Sequence, residues 1–316
     1  MKKPIKMVFL DAATVGHVDN LSEISSLGDY TNYEITIPAE RIGRIRGHNV
    51  VVTNKVIIDR DVMDACPELE LIAIVATGMN NVDLDYAARK GIAVRNVAGY
   101  STESVTQCTF AMLFYLQNAC RYYDDYVRSG QYAASPIFTH LDREFRELSG
   151  MTFGIIGMGT IGKRVAQVAS AFGAKVVYYS TSGKNLDAAG CSHLPLPELL
   201  QSADVVSIHC PLNDQTRNLI AKEQLDRMKP TAYLLNMGRG GIVDEAALAQ
   251  AIDDNRIAGA GLDVLTKEPI AADSPLLNIR NKEKLYITPH IAWAGMEARR
   301  VLIARTAQNI RSHFGL

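Results

Sequence analysis

Three polar side chains in the C-terminal half have the chemistry to move a proton beside a bound anion. Arg239 stands in Asn236-Met237-Gly238-Arg239-Gly240-Gly241. There glycines let the backbone approach a ligand and a guanidinium can present a planar fork to a carboxylate. His290, in Thr288-Pro289-His290, can take up or release a proton near neutral pH. Glu268, just before Pro269, offers a carboxylate that would orient such an imidazole and stabilise its charged form. Singly, each has a plainer reading: a surface ion pair, a loop-holding histidine, a Glu-Pro turn. Their joint position after successive apolar runs that read as strands is what gives them weight.

The elements that must position them announce themselves at the chain's midpoint. Gly157-Met158-Gly159-Thr160-Ile161-Gly162 forms G-x-G-x-x-G directly after the apolar run Phe153–Ile156. A helical pattern follows, with Ile161, Val165, Val168 and Phe172 on one face and Gly173 as a stop. Strand, turn and helix in that order predict a dinucleotide site. The first glycine permits the tight turn, the second a close approach to pyrophosphate, and the third close packing of helix on strand. Phosphates would sit on the unpaired N–H groups of the helix N-terminus. Half the chain precedes this turn, so the dinucleotide domain is expected to be inserted into another.

A length of 316 residues suggests two domains. A net charge of −1 with 21% charged residues supplies no basic stripe, so no nucleic acid partner is expected. Cys66, Cys108, Cys120, Cys191 and Cys210 show no C-x-x-C, which predicts neither a disulfide framework nor a metal site. Met1-Lys2-Lys3-Pro4 leads into Ile5–Leu10 without a signal-peptide core, and the apolar run Phe110–Leu116 is too short to span a bilayer. A cytoplasmic chain with no membrane partner is expected.

Strands are predicted at Ile5–Leu10, Tyr33–Ile37, Val50–Thr53, Leu71–Val75 and Ala93–Asn96, with helices near Asp19–Ser26, Asp59–Ala65 and Asp83–Lys90. A long helix from Ser101 through Tyr126 is aromatic-rich and is expected to pack between domains or subunits. A connecting arm covers Ser129–Ser149. Beyond the glycine turn, strands are predicted at Phe153–Gly157, Lys175–Ser180, Val205–Cys210, Ala232–Asn236, Gly259–Asp263 and Leu285–Thr288. Helices come between them, near 161–172, 197–202, 222–228 and 244–253, and a last one spans Gly295–His313. Strands alternating with helices make this an α/β protein with two doubly wound, parallel-sheet, Rossmann-like domains. The coenzyme domain, 101–289, is inserted into a flavodoxin-like substrate domain, 1–100 plus 290–316.

The chain resembles the D-isomer-specific 2-hydroxyacid dehydrogenases from about residue 50 to its C-terminus. The resemblance rests on Val75-Ala76-Thr77-Gly78-Met79-Asn80-Asn81-Val82-Asp83, the glycine turn, His209-Cys210-Pro211-Leu212 with Thr216-Arg217, and Asn236–Gly241. It continues through Gly261-Leu262-Asp263-Val264 with Glu268-Pro269 and Thr288-Pro289-His290-Ile291-Ala292-Trp293. Asn54-Lys55, Ala76-Thr77-Gly78 and Ala292-Trp293 are most similar to the glycerate dehydrogenase/hydroxypyruvate reductase branch. The resemblance implies that Arg239, Glu268 and His290 are catalytic. It implies substrate contacts from Asn54, Thr77, Gly78 and Trp293 as well as Arg239 and His290, with backbone N–H groups at Thr77-Gly78 on the substrate carboxylate. His209, Cys210 and Pro211 would line the nicotinamide side, with Thr216, Met237 and Gly238 also at the coenzyme and Asp263 near the nicotinamide amide. A homodimer is expected, acting on a small 2-keto or 2-hydroxy acid.

One position departs from the family's NAD-using pattern. Where those members carry an acidic residue to bind the ribose 2′-hydroxyl, this chain has Ser180, in Tyr179-Ser180-Thr181-Ser182-Gly183-Lys184. Hydroxyls and Lys184 could bind a 2′-phosphate, yet the arginine common in NADP-users is replaced by Thr181. The coenzyme is therefore NAD(P), with both forms open. A coenzyme-sensing binding protein on the same fold, like the family's corepressors, is the alternative function.

Overall fold

Short runs rich in Val, Ile and Leu, joined through single helices, can bury both strand faces only in a parallel sheet covered on each side. The computed structural model describes residues 4–188 and 190–316. Met1 to Lys3, expected to run straight into the first strand, lie outside the described residues. The chain divides into two units: Met1–Ser101 with Ala294–Leu316, and Thr102–Trp293.

Unit 1 holds β1 (Lys6–Phe9), α1 (Ser22–Ser25), β2 (Asp29–Asn32), α2 (Arg41–Ile45), β3 (Val50–Thr53), α3 (Arg60–Ala65), β4 (Leu71–Ile74), α4 (Leu84–Lys90) and β5 (Ala93–Arg95). The strands are parallel in the order β2-β1-β3-β4-β5. Every residue of β3 and β4 is buried, as central parallel strands require. Asp59 and Asp83 cap α3 and α4 by accepting the N–H groups of Val62 and Tyr86. The C-terminal helix, Met296–Phe314, returns to this unit and buries Leu302, Ile303, Ala307 and Ile310. Its Arg299 donates to the carbonyls of Val15 and His17 at 3.2 and 3.0 Å.

The strand expected at Tyr33–Ile37 lies earlier, at Asp29–Asn32. It is a polar, half-exposed edge, so no apolar run marks it, while the apolar Ile35 and Ile37 sit in an exposed loop.

Unit 2 comprises α5 (Thr102–Gln117), α6 (Cys120–Arg128), β6 (Thr152–Ile156), α7 (Thr160–Ala171), β7 (Lys175–Tyr179), β8 (Ser192–His193), α8 (Leu196–Ser202) and β9 (Val205–Ile208). It continues through α9 (Lys222–Arg227), β10 (Tyr233–Asn236), α10 (Glu245–Asp253), β11 (Gly259–Leu262) and β12 (Leu285–Ile287). The seven strands are parallel, in the order β12-β11-β10-β9-β6-β7-β8. Alternate strand residues feed two cores. Ile156 and Val177 meet α8, α9 and α10 through Leu199, Leu225 and Leu248. Ile155 and Tyr178 meet α5 and α7 through Phe110, Leu113 and Val165.

The single long helix expected from Ser101 is two helices. Ala119, with φ 46°, breaks it in the left-handed region. The first, α5, is a core helix of unit 2, packed on α7, β10 and β11. Its greasy residues cover the sheet of its own unit, and Gly261 makes room for Met112 beneath it. The unit ends after Trp293, where a boundary after 289 was expected.

Candidate active site

The strand order of unit 2 reverses between β6 and β9, which opens a crevice at the strands' carboxyl ends. Four loop residues step along that edge, each hung on the end of the neighbouring strand. His209 N–H donates to Ile156 O at 2.8 Å, Met237 to Ile208 at 3.1 Å, Asp263 to Asn236 at 3.1 Å and Thr288 to Leu262 at 2.9 Å.

At the switch point the three glycines serve three needs. Gly157 has φ +98°, and a Cβ there would lie 2.8 Å from the Cys210 backbone N. One on Gly162 would collide with the Gly157 carbonyl. Gly159 faces open space and is the N-cap of α7, with no side-chain cap on the helix's first N–H groups. A Cβ-free, uncapped N-terminus fits a pyrophosphate. His209 supports the same assignment. Its Nε2 lies 2.8 Å from Ser207 Oγ, while the buried Nδ1 has no partner among the described residues. Burial pushes the imidazole down to about 3, so the ring is neutral. A neutral ring with one committed nitrogen leaves the other to a ligand.

The other coenzyme-side residues divide by what their side chains touch. Met158 is buried in the core, so only its backbone reaches the turn; Thr160 and Ile161 open α7. Burial pushes the Cys210 thiol up to about 11, which leaves it inert. Thr216 donates to Pro211 O at 2.7 Å and accepts the Asn213 N–H at 2.8 Å, holding its own loop. Met237 and Gly238 are buried after β10. Ser180, Thr181 and Lys184 form the turn that leaves β7.

Asn236 pins the arginine turn from both sides. Its Oδ1 accepts the Gly238 N–H at 3.0 Å and its Nδ2 donates to Arg239 O at 2.9 Å. The half-buried Arg239 donates from Nη1 to Gly238 O at 2.9 Å and forms no ion pair among the described residues. A Cβ on Gly240 would coincide with the Leu265 carbonyl, so the arginine turn lies directly against the loop that leads to Glu268.

That loop meets the histidine. Glu268 Oε2 lies 2.7 Å from His290 Nδ1, and Glu268 Oε1 accepts the Leu265 N–H at 2.9 Å. His290 has φ +56°, a left-handed conformation that costs about 1–3 kcal/mol outside glycine. Asp263 clamps the loop on both sides of it. The carboxylate accepts Thr288 Oγ1 at 2.6 Å, Ile291 N–H at 2.8 Å and Ala292 N–H at 3.0 Å. Burial raises its carboxyl above the usual range, against the lowering effect of those hydrogen bonds. Asp263, expected near a nicotinamide amide, thus also holds the His290 loop. Ser104 Oγ adds a bond to Ala292 O at 2.6 Å, and Trp293 packs against the core shared by α5 and α7. Residue type alone assigns no role to Asn236 or Ser104. Only the motif around Asn236 hinted at one.

In unit 1 the corresponding switch point lies between β1 and β3. Buried Asp11 accepts the N–H groups of Asn54 and Lys55 at 2.9 and 2.7 Å, and burial raises its carboxyl. Thr77 and Gly78 follow β4. Thr77 Oγ1 donates to Val97 O at 3.1 Å, while the backbone N–H groups of both residues make no hydrogen bond among the described residues.

No group of three His, Cys, Asp or Glu among the described residues could hold a metal ion, and no helix is long and apolar enough to cross a membrane. Residues 110–292 match the family model described as D-isomer specific 2-hydroxyacid dehydrogenase, NAD binding domain. The chain is 35% identical over 311 residues to a hydroxypyruvate reductase of Blautia hydrogenotrophica, covering 97% of this chain and 96% of that protein. It is 36% identical over 308 residues to a glycerate dehydrogenase of Methylorubrum extorquens, covering 97% and 95%. Among solved structures it is similar to an acyclic imino acid reductase (Bsp5) in complex with NADPH and D-Arg. That match has a TM-score of 0.88 and 28% identity, over 98% of this chain and 97% of the other.

Proposed function

This chain belongs to the D-isomer specific 2-hydroxyacid dehydrogenase family, NAD(P)-binding oxidoreductases that act on a CH–OH group, and from that premise we propose that it reduces hydroxypyruvate or glyoxylate. The observation that carries the reading is the 2.7 Å contact between His290 and Glu268 on a clamped loop of the dinucleotide unit. Relatives named hydroxypyruvate reductase and glycerate dehydrogenase support the substrate class.

A nicotinamide coenzyme held at the glycine turn and beside His209 would supply hydride for C2 of the keto acid. Arg239 grips the substrate carboxylate with its fork and polarises the adjacent carbonyl. His290, held through Nδ1 by Glu268, delivers a proton from Nε2 to the developing alkoxide. The carboxylate of Glu268 stabilises the imidazolium before transfer and keeps the ring oriented after it. Asn54, Thr77, Gly78 and Trp293 are the further substrate-side residues in this proposal, supported at 77 and 78 by unengaged backbone N–H groups.

A homodimer in the cytoplasm completes the proposal. The arm between α6 and β6 exposes Ile137, Phe138, Leu141 and Phe145, with Phe138 at 89%, an apolar surface that monomers seldom leave uncovered. Light scattering on the wild type and on Phe138→Asp tests the assembly: a monomeric wild type would refute it.

A panel of 2-keto acids assayed with NADH and NADPH tests the activity. Hydroxypyruvate and glyoxylate should be the best substrates, and His290→Ala should cut kcat about 10²- to 10⁴-fold. A protein that bound coenzyme yet reduced no acid in the panel would instead be a coenzyme-sensing binding protein.

A further inference from the structure

We propose that the turn leaving β7, residues 180–184, binds the 2′-phosphate of NADPH, so that the protein prefers NADP(H) to NAD(H). The inference rests on the dinucleotide reading of the glycine turn and names the coenzyme form that turn serves.

Position comes first. Gly157 N–H donates to Tyr179 O at 3.0 Å, so the end of β7 is tied to the glycine turn itself. In a doubly wound domain this is where the adenosine ribose lies, and where a carboxylate accepts the 2′-hydroxyl of NAD. Ser180 occupies that place. It is buried, its carbonyl accepts the Gly183 N–H at 3.3 Å, and its Oγ accepts the Asn185 N–H at 3.4 Å. One hydroxyl so placed cannot accept from both ribose hydroxyls as a carboxylate does. From Gly157 to Leu186 the chain contains no acidic residue at all, while Lys163, Arg164, Lys175 and Lys184 all fall within it.

The turn is also built to receive an anion. Gly183, at φ +65°, folds the chain back with open space where its Cβ would be. The backbone N–H groups of Thr181 and Ser182, and the Thr181 hydroxyl, make no hydrogen bond among the described residues. Ser182 Oγ accepts the Lys184 N–H at 3.3 Å, which leaves its own hydrogen free to donate. The exposed Lys184 ammonium has no ion-pair partner among the described residues. Successive N–H groups left unengaged in a turn can form an anion-binding concavity, and a lysine adds the point charge a phosphate needs. The ribose of NAD would meet the same donors with no carboxylate to accept its proton.

Binding, measured by calorimetry without turnover, tests this. NADPH should bind at least about tenfold more tightly than NADH, and adenosine 2′,5′-bisphosphate should exceed 5′-AMP by a similar factor. Lys184→Ala, at an exposed site, should weaken NADPH about tenfold and NADH less than threefold, with an unchanged Tm. Ser180→Asp should reverse the preference. Equal or tighter binding of NADH by the wild type would overturn the proposal, as would a Lys184→Ala loss shared equally by both coenzymes. Binding of neither coenzyme would overturn the dinucleotide reading along with it.

Discussion

Glu268 and His290 form one rigid device: Oε2 sits 2.7 Å from Nδ1 while Oε1 of the same carboxylate is anchored on the Leu265 N–H at 2.9 Å. A carboxylate bonded at both oxygens fixes the imidazole's orientation and presents its negative charge in one direction. Groups that act as a unit lose function non-additively. Glu268→Gln keeps the shape without the charge and should lower kcat for reduction about 10²-fold, and His290→Ala about 10²- to 10⁴-fold. The double variant should be no slower than His290→Ala alone. Multiplied losses in steady-state kinetics would show that the two residues work separately.

Asp263 controls the same histidine from beneath. Because its carboxylate accepts Thr288 Oγ1 and two backbone N–H groups beyond His290, Asp263→Asn turns an amide donor toward groups that are themselves donors. The left-handed backbone at His290, strained by about 1–3 kcal/mol, then loses its support. We expect kcat to fall about tenfold or more and Tm to drop, with the coenzyme KM little changed. A raised coenzyme KM at unchanged kcat would instead favour a direct bond from Asp263 to the nicotinamide amide.

Two glycines separate architecture from binding. Gly240→Ala drives a Cβ into the Leu265 carbonyl and pushes the arginine turn off the Glu268 loop. It should destabilise the protein by about 1–3 kcal/mol, as overpacking does, and raise the KM for the keto acid. Gly159→Ala meets nothing within 4 Å, and its φ of −80° suits any residue. Its Tm should match the wild type while coenzyme affinity falls, because the added methyl stands where the pyrophosphate approaches. Thermal melts and coenzyme titrations on both variants check this; a folded Gly159→Ala with full affinity would refute the phosphate assignment.

How far such features can be read without coordinates depends on whether the signal is local. The glycine turn was legible because Gly157, Gly159 and Gly162 act within one strand–turn–helix, and the structure has it between β6 and α7. The pairing of Glu268 with His290 was legible from residue type and strand-end position, and the structure has the two in contact. The clamp of Asp263 was not, since its partners lie 25 to 29 residues further on. The break between α5 and α6 was equally hidden. It falls at Asn118-Ala119, where no proline or glycine marks the left-handed φ of Ala119. Edge strand β2, Asp-Tyr-Thr-Asn, carries no apolar alternation, because half its surface faces solvent.

His209 makes stability depend on pH in a direction that can be worked out. Burial lowers its folded-state value to about 3 from the ordinary 6.5. Below about 6.5 the unfolded chain therefore binds a proton that the folded chain refuses, and stability falls with pH down to about 3. The slope approaches about 1.4 kcal/mol per pH unit for one proton. Asp11 and Asp263 act in the opposite sense, because burial raises both carboxyls and the folded state then holds more protons than the unfolded chain. Comparing wild type with His209→Gln isolates the imidazole from them. Urea unfolding at pH 7, 6, 5 and 4.5 should give a distinctly shallower acid loss in the variant. Parallel pH curves would mean that the ring is protonated in the folded state, and with it would go the neutral ring assigned to the coenzyme side.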